Sequence, residues 1–155
     1  MPLGLGFHTA FPSRGLRLRF GSGDYYLDIN RGLPTGRCLP WDACIPDPRR
    51  FYDQSGYKFD FFTPVSEMTS TDGRTFRGAE LSFPNGSLTY ELDEKFAFWC
   101  VWNCGGFNKF ICLEPISWFP NCPNQTQTAD VTNFRELAPG EKVQFSNRLR
   151  WLARN

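Results

Sequence analysis

Twelve prolines and fourteen glycines are spread along the whole 155-residue chain, and no interval between them is long enough for an amphipathic helix of three turns. The runs that remain are short and rich in β-branched and aromatic residues. Residues 16–20, 25–30, 78–82, 87–92, 97–102, 110–113 and 142–152 therefore read as strands. In one of them Leu88, Tyr90 and Leu92 alternate with Thr89, Glu91 and Asp93, the pattern of a strand with one face in a core and one in solvent. FAFWCVW (96–102) and FICL (110–113) are apolar on both faces, so these two runs belong centrally in a sheet or under a covered cleft. Pro84-Asn85-Gly86 predicts a tight hairpin turn, because Asn and Gly tolerate positive φ. Residues 40–56, rich in Pro, Asp and Arg and without periodicity, read as a long surface loop. The sum is an all-β sandwich or barrel, and the length fits one domain, 1–155.

With 41% hydrophobic and 21% charged residues the chain has the make-up of a folding sequence. A formal net charge of +1 provides no field for nucleic acid or anionic membrane, which points to a neutral partner. The basic run RGLRLR (14–19) reads as a strand with one solvated cationic face. No apolar stretch reaches 18 residues and the N-terminus lacks the pattern of a signal peptide, so no membrane role is expected and the location expected is cytoplasmic. The six cysteines then read as reduced thiols. Cys100 and Cys104 have no second pair at ligand spacing, and the single histidine is far along the chain, so neither metal nor cofactor is expected. The sequons at Asn85 and Asn124 carry no weight without a secretory context.

Two residues are out of keeping with a plain sandwich. A lone histidine is usually structural or incidental, but His8 stands in GFHTAF between a glycine and aromatic residues, where a strand end can present an imidazole at a pocket rim rather than bury it. Glu114 follows the apolar run FICL and precedes a proline. A carboxylate there is either paired and structural or held partly desolvated for general-base work.

Several separated segments resemble the aldose 1-epimerase (galactose mutarotase) family: GLGFHTAF (4–11), RGLPTG (31–36), KFDFF (58–62), VWNCGGFNKFICLEPISWFPNCPN (101–124) and ELAPGEKVQFSNRLRW (136–151), in the family's order. The resemblance implies an antiparallel β-sandwich of the galactose mutarotase-like supersandwich type. It spans the C-terminal half of the usual domain, so the fold is expected to be incomplete at its N-terminus. It also implies a cofactor-free isomerase acting on a small-molecule sugar, with Glu114 as base and His8 as acid, Asp60 as a sugar-binding carboxylate with Asp53 as the alternative, and Trp118 among the aromatic residues that stack on a pyranose. Trp99, Trp102 and Phe119 are further stacking residues or core. The family's sugar-binding arginine does not transfer, since Arg14 and Arg31 lie in the wrong part of the pattern. The rival readings are a carbohydrate-binding module without turnover and an inactive fragment that self-associates through exposed sheet edges.

Overall fold

The computed structural model describes residues 1–30, 33–41, 47–53, 57–106, 109–125 and 129–154. Arg31, Cys44, the third residue of the Asn124 sequon and parts of the 40–56 segment lie outside these residues. The described strands form two antiparallel sheets. The first has the order β1 (Thr9–Pro12), β11 (Phe110–Ile116), β10 (Phe98–Trp102), β6 (Asp60–Pro64), β3 (Tyr25–Asn30), β4 (Leu33–Pro40). The second has the order β12 (Asn147–Ala153), β9 (Gly86–Leu92), β8 (Thr75–Phe83), β2 (Arg17–Phe20), β5 (Tyr52–Asp53), with β7 (Glu67–Thr69) also paired to β8. Helix is confined to the 3-10 turn Cys122–Asn124 and the single turn α1 (Ala129–Thr132) among the described residues.

The core lies between the sheets and follows from alternation. Phe11, Tyr26, Phe61, Trp99, Val101, Ile111 and Leu113 of the first sheet meet Leu18, Phe20, Ala79, Leu81, Tyr90 and Leu92 of the second. Each such large side chain contributes about 1.5–3 kcal/mol by leaving water. Trp99 is the pivot: it is fully buried, its indole N–H donates to the Gly21 carbonyl at 3.0 Å, and its ring meets Phe20 and Tyr90 edge-on. A second cluster sits on the opposite face of the first sheet, where Leu27, Phe98 and Phe119 pack with Phe62, Ile116, Trp118 and Phe134. That cluster is why β10 is apolar on both faces.

Four expectations are corrected. Pro84 and Asn85 do form a two-residue turn between β8 and β9, but without positive φ. Gly86 serves instead for close approach, since a Cβ there would stand 2.5 Å from the Trp151 ring and from the Leu152 carbonyl. The 40–56 segment is not purely a loop: it contains β5, paired with β2. Strand β12 begins at Asn147 rather than at 142. Finally, the cationic face of β2 is not simply solvated, because Arg19 donates to Glu80 at 2.6 and 3.1 Å, and Glu80 is buried on β8 and also accepts the Thr71 amide.

Candidate active site

The register of four neighbouring strands builds one patch on the face of the first sheet that points away from the core. In the β1–β11 ladder Thr9 faces Leu113 and Ala10 faces Cys112. One step further the same register sets His8 opposite Glu114. Leu113 and Ile111 enter the core, so Glu114 and Cys112, which alternate with them, face outward. On the other side of β11, β10 sets Cys100 opposite Glu114 and Trp102 opposite Cys112. Strand β6 then sets Asp60 opposite Trp102. The proline after Glu114 is tolerated because Pro115 turns its backbone toward β1, where its carbonyl accepts the Phe7 amide at 3.1 Å, at a point where the β1 strand has ended.

His8 and Glu114 touch. Nε2 of the imidazole is 3.2 Å from Oε1 of the carboxylate, with side-chain exposures of 63% and 16%. The His8 ring stands edge-on to Trp102 at 6.2 Å, and Trp102 in turn packs on Phe110 at 5.5 Å. Burial pushes the Glu114 carboxyl above its usual range; the neighbouring His8 offsets part of this and the charge of Asp60 adds to it. Burial also raises the Asp60 carboxyl. Cys112 lies buried beneath the pair, and desolvation with the nearby Glu114 charge pushes its thiol up to about 11. Burial is again the main cause that raises Cys100. The result is a partly desolvated carboxylate of increased basicity in direct contact with an accessible imidazole, an arrangement suited to paired proton transfer.

Of the residues singled out from sequence, His8, Glu114 and Asp60 share this face. Asp53 does not, for it lies on β5 in the other sheet, opposite Arg17. Trp118 belongs to the adjoining apolar cluster, where it stacks on Phe134 with centroids 5.7 Å apart and planes within 7°. Trp99 and Trp102 separate by alternation, the first fully in the core and the second beside His8. Phe119 is buried against Phe98. Arg14 is exposed at the turn before β2. The sequence reading set Cys100 aside as a ligand and assigned no role to Cys112; only strand register places both beside the pair, since spacing along one chain does not report contacts across strands.

No family model matches the sequence. The fold is that of galactose mutarotase-like proteins. One solved structure that the chain resembles is a galactose mutarotase-like protein from Clostridium acetobutylicum, at a TM-score of 0.86 and 23% identity over 99% of this chain and 48% of that one. Another is a candidate aldose 1-epimerase from Escherichia coli K12, at a TM-score of 0.73 and 20% identity over 98% of this chain and 52% of that one. The chain thus spans about half the length of the solved structures it matches.

Proposed function

We propose that this chain descends from aldose 1-epimerases and carries their acid–base pair, Glu114 as base and His8 as acid, for interconverting the α and β anomers of an aldose such as glucose or galactose. The observation that carries the reading is the 3.2 Å contact between His8 and Glu114 on an accessible sheet face. The anomeric hydroxyl and the ring oxygen of a pyranose are bonded to one carbon, so the groups that serve them must stand side by side, as these do. Glu114 takes the proton of the anomeric hydroxyl while the His8 imidazolium protonates the ring oxygen, and the bond between C1 and the ring oxygen breaks. Rotation about C1–C2 presents the other face of the aldehyde. Reclosure with the roles reversed returns both protons and yields the other anomer. Asp60, on the same face, would bind a sugar hydroxyl, and Trp102 and Trp118 would offer apolar rings to the pyranose.

Polarimetry of freshly dissolved α-glucose and α-galactose tests this, with Glu114→Gln and His8→Asn beside the wild type. A wild type that speeds equilibration while both variants fall by about 10²–10⁴-fold supports the assignment. Equal rates in all three would sink it.

Three observations favour a second reading. His8 precedes the edge strand β1, is 63% exposed, and the chain covers half of its structural relatives. A sugar site open on that side fits a non-catalytic carbohydrate-binding sandwich or an inactive fragment. Saturable sugar binding without accelerated mutarotation would identify it.

A further inference from the structure

Three different metal-ligating groups meet at the patch, and proton transfer between His8 and Glu114 uses only two of them. The third is Cys112, two residues before Glu114 on β11 and therefore on the same face. The ligating atoms of His8, Cys112 and Glu114 all lie within 4.8 Å of one another. Zinc holds sulfur, nitrogen and oxygen ligands at about 2.0–2.3 Å, which sets neighbouring ligand atoms roughly 3.3–3.8 Å apart in a tetrahedron. The difference is within reach of a side-chain rotation, and His8, the most exposed of the three, is free to make it. Glu114 and Cys112 are fixed by a central strand paired on both sides. The distance between His8 and the cysteines along the chain, which argued against a metal, does not apply across a ladder that sets His8 beside β11.

We infer that His8, Cys112 and Glu114 form a three-ligand site for zinc or a similar borderline-soft divalent ion, with its fourth position open to solvent on the His8 side. A thiolate with an imidazole selects such an ion over magnesium or calcium, which take oxygen ligands. Occupancy would engage the lone pairs of both His8 and Glu114, so the bound metal would block the proton transfers proposed above. That consequence rests on the proposed function, whereas metal binding itself does not.

Cobalt(II) reports the site directly, because a thiolate ligand gives a sulfur-to-cobalt charge-transfer band that a carboxylate or imidazole alone does not. The full chain is titrated with cobalt(II) and then with zinc, together with Cys112→Ser, Cys100→Ser and His8→Asn. The expected result is one ion per chain, a charge-transfer band in the wild type and in Cys100→Ser, its displacement by zinc, and its loss in Cys112→Ser. His8→Asn, which changes an exposed side chain and leaves the core intact, should weaken zinc at least about tenfold. Absence of the band in the wild type, or its survival in Cys112→Ser, overturns the site. If the wild type is an active mutarotase, zinc should inhibit it and removal of the zinc by a chelator should restore the rate. An inactive wild type that still binds cobalt through Cys112 would refute the proposed function and keep the metal site.

Discussion

Glu114 is pulled in two directions by its surroundings. Burial and Asp60 favour the neutral acid, while His8 favours the carboxylate, and the first influence is the larger. A carboxyl raised in the folded state stabilises the fold when protonated; that contribution is present at low pH and is lost as pH rises through the raised value. At neutral pH the charged Glu114 is therefore a cost to folding, one that the proposed base role would require. Glu114→Gln, which leaves no charge to desolvate, should hold or raise the Tm at pH 7 while abolishing mutarotation; a lower Tm would show that the His8 contact is mainly structural. The rate of the wild type should fall on the acid side at a pH above the usual glutamate range, and a profile flat from pH 4 to 9 would contradict the assignment. Trp118 offers a contrasting case, because its ring is already stacked on Phe134. If it also contacts sugar, Trp118→Phe should raise KM several-fold with little change in Tm; an unchanged KM with a lowered Tm would assign it to packing. At this scale the sequence made Glu114 legible through its odd position after FICL and before proline. It assigned no role to Cys112, which shares β11 with Glu114 and meets His8 only across the sheet.

Among the elements, the strands that were legible are those with strong patterning, β2, β3, β8, β9, β10 and β11. Those that were not have physical reasons. β1 and β4 contain Pro12, Pro34, Gly36 and Pro40, residues that break strand patterns but are accepted at sheet edges, where both strands lie. β5 and β7 are two and three residues long, too short for periodicity to register. The strand reading of RGLRLR holds over Arg17–Phe20, and only its solvated face needed correction, for a different reason. Alternation predicts which face a residue takes but not that a facing strand has buried a carboxylate there. Arg19 and Glu80 join β2 to β8 directly opposite one another in the ladder. Removing the arginine would leave the buried Glu80 charge with only the Thr71 amide as partner. Arg19→Met should therefore cost about 3 kcal/mol, the lower end of what breaking a buried pair costs. Urea unfolding measures this, and a loss under about 1 kcal/mol would mean that water reaches Glu80.

For the whole molecule, the informative feature is which edges are guarded. β4 closes one side of the first sheet with two prolines, a glycine and Arg37, residues that discourage further pairing. On the opposite side β1 and β12 lie at the same end of the sandwich, since Thr9 and Phe11 of β1 meet Tyr90 of β9, the strand next to β12. Among the described residues before Ser13 there is no Asp, Glu, Lys or Arg, so β1 carries no such charge against pairing. The face of β12 that carries Leu149 and Trp151 is in register with Tyr90 and Leu88, yet these two side chains are 50% and 45% exposed. Sheet two therefore extends past the cover that sheet one provides. Arg148 and Arg150 alternate with Leu149 and Trp151 and face the other way, and Arg150 is paired with Asp72 at 3.2 Å, so neither guards the apolar face. The chain on its own should accordingly associate, and light scattering after size exclusion should show a mass above 17.8 kDa that rises with concentration. Leu149→Glu with Trp151→Glu should return it to a monomer without lowering helix-free β content by circular dichroism. A wild-type monomer at high concentration would instead mean that the β1 and β12 side is stable in water, and that the half-exposed Leu149 and Trp151 do not drive association.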